Sequence, residues 1–215
     1  MNFAAVEKIA RAVLYEGYLL YPYRRSSVKN RQRWNFGALY PPSFCEDNGE
    51  AKAMETQVLI RGPASALLEV RVRFLQLAEA GGGPGGSWQE ASEREVALPA
   101  LHLGELLALP SSIPFGFPAP AHGIGAPLDG MLELSAERCG DELVRATVRI
   151  RNETPFHDDS REEALLRAFV STHTVLGVRG GQLVSLLEPP EDARAAASEC
   201  SNLGTWPVLV GAPGE

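Results

Sequence analysis

The chain has 215 residues, 45% hydrophobic and 22% charged, which excludes a disordered chain and a coiled coil as descriptions of it. Its formal net charge of −7 works against nucleic acid and anionic membranes as partners, because both select positive surface. Cys45, Cys139 and Cys200 are odd in number and widely spaced, which suits neither a disulfide framework nor a CxxC metal knuckle.

The opening residues are broken by Glu7, Lys8, Arg11 and Glu16, so they read neither as a signal peptide nor as a membrane span, and a reducing cytoplasmic location is expected. Phe3, Val6, Ile9, Ala10, Val13 and Leu14 recur at three- and four-residue spacing, which predicts a short helix ending near Gly17. Residues 21–44 read as a basic-aromatic arm flowing into a short strand around 34–39. From Met54 the period becomes two. Met54, Thr56, Val58 and Ile60 share one face, then Leu68, Val70, Val72, Phe74 and Gln76 alternate with Glu69, Arg71 and Arg73, as half-buried antiparallel strands require.

GGGPGG at 81–86 reads as a hairpin tip returning through Trp88 to Val96. It lacks the Lys-Ser/Thr pair of a phosphate cradle. Residues 99–128 are proline-rich and read as a long connection between sheets. A hairpin turning at Gly140-Asp141 follows, then a capping box from Ser160 to Glu163 ahead of a second short helix. The stretch 171–190 predicts a final hairpin turning at Gly180-Gly181, and 200–211 a last strand. Strands are therefore expected at 54–61, 67–77, 130–139, 143–152, 172–179 and 181–188. The pattern is that of one globular domain over 1–215 in the α+β class, mostly antiparallel β, a β-sandwich-like domain with two short helices.

Motifs that would assign chemistry are missing: the sequence holds no GxSxG, HExxH or DxDxDG. No catalytic residue and no cofactor is assigned, and the chain reads as a binding or assembly factor before an enzyme. The alternative is a small enzyme or metal-handling protein using His157, Asp158, His173 and Cys200, which requires folding to bring those four together; such ligands would favour zinc, nickel or iron. Each also has a structural reading. Asp158 sits at the approach to a helix N-terminus, His173 in a strand, and Cys200 can be buried as a small apolar residue. Neither His102 nor His122 has a partner at ligand spacing. Trp34, Trp88 and Trp206 could form a recognition platform or pack internally.

The strongest anomaly is the arm. Arg24, Arg25, Lys29, Arg31 and Arg33 fall within ten residues that contain no acid, in a chain of 20 basic and 27 acidic residues. Tyr21, Tyr23 and Trp34 flank them and add stacking and cation–π capacity, so this segment is expected to contact an acidic protein partner. The competing reading is a solvated loop that pairs with the chain's own acidic surface.

Three stretches, VLYEGYLLYPYRRSSVKNRQRWNFGALYP at 13–41, STHTVLGVRGGQLVSLLEPP at 171–190 and CSNLGTWPVLVG at 200–211, resemble an uncharacterised bacterial family associated with gene clusters for high-affinity, oxygen-tolerant nickel–iron uptake hydrogenases. The resemblance implies an accessory or maturation factor whose partner is a hydrogenase subunit or another maturation protein. It carries over no catalytic residue. The absence of CxxC sets the chain apart from the rubredoxin-like and nickel-handling proteins of such clusters. Similar sequences continue past the last block, so the closing residues read as a truncated end or the start of a linker.

Overall fold

The computed structural model describes residues 3–15, 34, 36–81 and 87–210. Strand β1 (Ala53–Arg61) turns Met54, Thr56, Val58 and Ile60 inward, as their period of two dictates. Its sheet is built outward from it. It pairs with β7 (Leu143–Asn152), β7 with β6 (Leu128–Arg138), and β6 with β5 (Ser111–Phe117), all antiparallel, while β9 (Gln182–Val184) closes the other side of β1. Strand β2 (Leu67–Gly81) is the spine of the second sheet, flanked by β3 (Ser87–Ala97) and by β8 (Val170–Arg179), with two-residue β4 (Leu101–His102) pairing its start.

The two sheets form the expected antiparallel sandwich. Between them pack Val58, Ile60, Val70, Phe74, Leu132 and Val148, each 8% exposed or less. A second apolar layer lies outside the β2 sheet, where Leu75, Leu77 and Val170 meet Leu14, Phe44 and Leu165. Helix α1 (Phe3–Leu14) docks there through Ala10 and Leu14, but Ile9, expected on the same face, is 48% exposed. No helix among the described residues is long and apolar enough to cross a membrane.

Helix α4 (Arg161–Leu165) begins at the predicted cap, where Ser160 Oγ accepts from the Glu163 backbone N–H. Three further short helices were not legible: α2 (Pro42–Asn48), α3 (Leu103–Ala108) and α5 (Arg194–Ser198), the last preceded by a 3₁₀ turn at Glu191–Ala193.

Four expectations about local structure are corrected. The 99–128 stretch is not a structureless connection, because it holds β4, α3 and β5. Proline is tolerated in β5 because that strand is a sheet edge, where Pro114 leaves no ladder hydrogen bond unmade on the solvent side. Gly180-Gly181 is not a hairpin turn: β8 and β9 belong to different sheets, and the chain crosses between them there. Glycine is required at that crossing, since Gly180 has φ +74° and a Cβ on Gly181 would lie 2.9 Å from the Arg61 carbonyl oxygen. The described residues of 34–39 form no strand; Trp34 has φ +71° and only Leu39 among them bridges, to Phe169. The expected strand over 200–211 does not form among its described residues, 200–210, where a single bridge joins Leu203 to Glu55.

One irregularity re-aims side chains. The register of β8 on β2 shifts so that Arg73 faces His173 while Leu75 faces Val170, with Ser171 fully buried at φ +52° inside the bulge. The extra residue keeps Phe169 in the core between the sheets, lets Val170 join the outer layer, and returns His173 to the outer face.

Candidate functional site

Residues 16–33 lie outside the described residues, and with them Tyr21, Tyr23, Arg24, Arg25, Lys29, Arg31 and Arg33. The tip of the glycine-rich hairpin, 82–86, does as well. Trp34 is described, and it corrects the reading of the arm. At 1% exposure its indole belongs to the layer over the β2 sheet with Tyr40 and Phe44, so it is a core side chain, not a contact residue. The arm's far end is likewise packed: Tyr40 is buried, its hydroxyl receives the Arg161 guanidinium at 2.7 Å, and burial pushes its pKa up to about 12.

His157 and Asp158 line a surface cleft of 340 Å³ with Pro155, Phe156, Glu163 and Arg167. Its charges are already committed. The Arg167 guanidinium lies 5.5 Å from the Phe156 ring centre and 2.9 Å from Glu163 Oε2. Asp158 accepts the Ser160 backbone N–H at 2.9 Å, and bonds from the Ser160 and Asp159 backbone hold its carboxyl below the usual carboxylate range. The aspartate thus builds the turn entering α4, which is the structural reading of that cluster. His157 is exposed at the rim.

His173 is held elsewhere, on the outer face of the β2 sheet beside Arg73. Its Nδ1–H donates to the Ser171 carbonyl at 2.9 Å, which leaves Nε2 as a buried acceptor without a hydrogen-bond partner among the described residues. Arg73 is itself clamped, giving 2.8 Å bonds to both carboxylate oxygens of Glu7 on α1 and a 2.6 Å bond to Glu95 on β3. Burial, opposed by the Ser171 hydrogen bond and aided by the Arg73 charge, lowers the His173 pKa below 6.5. The unfolded chain therefore takes up this proton first on acidification, so native stability falls as pH drops below 6.5, before Glu7 begins to titrate. Urea midpoints from pH 8 to 5 should show this decline, and His173→Gln should flatten it. An unchanged slope would place the proton uptake elsewhere.

Cys200 lies on the opposite side of the sandwich. It packs with Cys139 against a third apolar cluster of Leu59, Leu143, Ala193 and Ala196, on the outer face of the β1 sheet. His157 with Asp158, His173 and Cys200 thus occupy three separate places, and no group of three or more His, Cys, Asp or Glu among the described residues is placed to hold a metal. The three tryptophans do not assemble either: Trp34 is core, Trp88 is on β3, and Trp206 follows the last bridge.

The remaining candidate surface is the segment after α5. Leu203 exchanges backbone hydrogen bonds with Glu55, Asn202 Oδ1 accepts from the Gln57 backbone N–H, and Thr205 Oγ1 donates to the Glu55 carbonyl. These bonds close the part of the β1 edge that β9 does not reach. Beyond them Trp206, Val208 and Leu209 stand in solvent. Compared with known protein families and with curated proteins, the chain matches none.

Sequence reasoning missed this exposure. Apolar alternation in Trp206, Val208 and Val210 looks the same in a buried strand as in an extended segment with open faces. It also missed the company of Cys200, because Cys139 and Arg145 are distant in the chain and meet it only through β6, β7 and α5.

Proposed function

We propose that this chain is a non-enzymatic accessory factor that binds a nickel–iron hydrogenase subunit or another maturation protein of the same cluster. The observation that carries the binding reading is the segment 203–209, tied to β1 by backbone bonds at Leu203 and the Thr205 side chain, and presenting beyond them Trp206 at 83% and Val208 at 75% exposure. Large apolar side chains standing in solvent next to an anchored strand edge are the usual substance of a protein contact, and Trp is a preferred anchor. The hydrogenase part of the reading rests on the resemblance of the three sequence blocks.

The described parts of those blocks are also neighbours in space. Phe36 and Gly37 accept backbone bonds from Ser171 and Thr172 at the start of β8; β8 crosses to β9; and β9 and the 202–205 segment share the same edge of β1. A recognition surface drawn from these described parts would be one continuous flank, and the charge of the basic segment at 24–33 would serve to steer association.

The test is binding kinetics against purified hydrogenase large and small subunits and the cluster's maturation proteins. Trp206→Ala with Val208→Ser should raise the dissociation rate about tenfold or more, whereas Arg24→Ala with Arg25→Ala should slow association and weaken its salt dependence. Trp34→Ala does not test the contact, since it opens the core. Binding of both folded surface variants at the parental rates, or no binding to any of these proteins, would sink the proposal.

A further inference from the structure

Cys139 and Cys200 are 61 positions apart in the sequence, yet the fold sets them around one arginine. Arg145 on β7 pairs with Glu137 on β6 and, at 3.6 Å, with Glu199 after α5. Cys139 lies two residues beyond Glu137, just past the end of β6, where it packs against the outer cluster and its backbone N–H bonds to the Leu143 carbonyl. Cys200 follows Glu199 directly. Both thiols are partly exposed, both border the cluster of Leu59, Leu143, Ala193 and Ala196, and both act on the charge of Arg145.

We propose that Cys139 and Cys200 form an oxidation site, in which a hydroperoxide converts the two free thiols to a reversible disulfide that ties the C-terminal segment to the β6–β7 turn. Three features support it beyond proximity. Burial pushes the Cys200 thiol up, and the Arg145 charge opposes that rise without cancelling it, so the reactive thiolate is more accessible than at an equally buried thiol with no arginine beside it. Neither cysteine is inside a strand or helix, one being in the bend after β6 and the other just after α5, so the backbone adjustment a disulfide demands puts at stake only the last cross-strand bond, from Cys139 to Leu143. Cys45 supplies an internal contrast. Each of Cys45 and Cys200 gives its Sγ hydrogen to a backbone carbonyl, but Cys45 is buried in the outer layer over the β2 sheet, where burial raises its pKa to about 11.

The chemistry balances in two displacements. Cys200 thiolate attacks the terminal peroxide oxygen, an S–O bond forms as the O–O bond breaks, and the alkoxide or hydroxide leaves to take a proton. Cys139 thiolate then attacks the sulfenic sulfur, the S–S bond forms, and the S–O oxygen departs as water. Both thiols are oxidised by two electrons in total, the peroxide is reduced, and thiol–disulfide exchange with a small dithiol reverses the change. This proposal is independent of any protein partner.

The experiment treats the purified chain with hydrogen peroxide, alkylates the remaining thiols and maps peptides by mass spectrometry. The expected result is an intramolecular Cys139–Cys200 linkage that dithiothreitol removes, with Cys45 still alkylated. In Cys139→Ser, Cys200 should instead accumulate sulfenic and sulfinic acids, and Arg145→Gln should slow the loss of the Cys200 thiol. Differential alkylation of the parent chain gives the answer even if a variant does not fold. Cys200 reaching sulfinic acid at the same rate with Cys139 present, a linkage only between molecules, or preferential oxidation of Cys45 would each overturn the proposal.

Discussion

Phe74→Ala is expected to lower the free energy of unfolding by about 3–5 kcal/mol, the usual range for deleting a fully buried phenylalanine. Phe74 has no exposed surface and is the hub of the aromatic cluster in the core, stacked on Phe169 at 4.6 Å between ring centres and edge-on to Phe117 at 5.5 Å. It sits where β2 meets the bulge in β8, so its neighbours come from both sheets and relax poorly into a void. Phe74→Leu keeps most of the volume and should cost markedly less. Urea denaturation of both variants is the measurement, and a loss below about 1 kcal/mol for the alanine variant would mean that the core collapses freely around this position.

Asn152→Ala should be comparably damaging for a different reason. The Asn152 side chain, 1% exposed, donates to the Leu39 and Arg167 carbonyls at 2.8 Å each and accepts the Thr154 backbone N–H at 2.8 Å. One amide group thereby fastens the end of β7 to the segment entering α2 and to the turn after α4. Truncation strands the Arg167 carbonyl and the Thr154 amide, each costing about 1–3 kcal/mol before relaxation, while the Leu39 carbonyl keeps the Phe169 N–H, so a loss of about 2–5 kcal/mol is expected. Asn152→Asp at neutral pH should be worse than the size of the change suggests, because a carboxylate would face two carbonyl oxygens. If the alanine variant unfolds within about 1 kcal/mol of the parent, water replaces the amide and the proposed clamp is not structural.

How far the strands were legible follows from what alternation encodes. Met54 to Ile60 and Leu68 to Phe74 announce their faces because successive side chains of a strand point opposite ways, and one face here is dry. The same rule fails at Leu59, Leu75 and Leu77, which are buried on the face expected to be wet. Those residues carry the outer clusters, and what covers them comes from α1, α2, α4 and α5, far away in the chain. Pro114 argued against a strand locally, yet β5 forms because an edge position needs no donor on its outer side. The short helices α2, α3 and α5 run five to seven residues, too short for a hydrophobic period to register, and they persist through docking.

The candidate sites divide along the same line. Asp158 before a capping box was readable as a turn-building acid because its hydrogen bonds are local. His173, by contrast, owes its buried Nε2 and its arginine neighbour to a bulge and to α1 docking, neither of which its flanking threonines encode. Trp34 looked like part of a basic-aromatic contact because composition along ten residues says nothing about which way a side chain turns. Its conversion into core reflects the open outer face of the β2 sheet beneath it.

From the sequence alone came the class of fold, the inward faces of the main strands, the hairpin at Gly140-Asp141, the cap at Ser160 and the contrast between a basic segment and an acidic chain. These are local or periodic properties, set by pleat geometry, turn chemistry and charge. The tertiary structure alone decided that Gly180-Gly181 is a crossing between sheets, that Trp34 is buried while Trp206 is exposed, and that Cys139, Arg145 and Cys200 meet. Each of those depends on which distant element lands beside a residue, and that is settled by burial of both faces of a sheet at once, a condition no single stretch of chain carries.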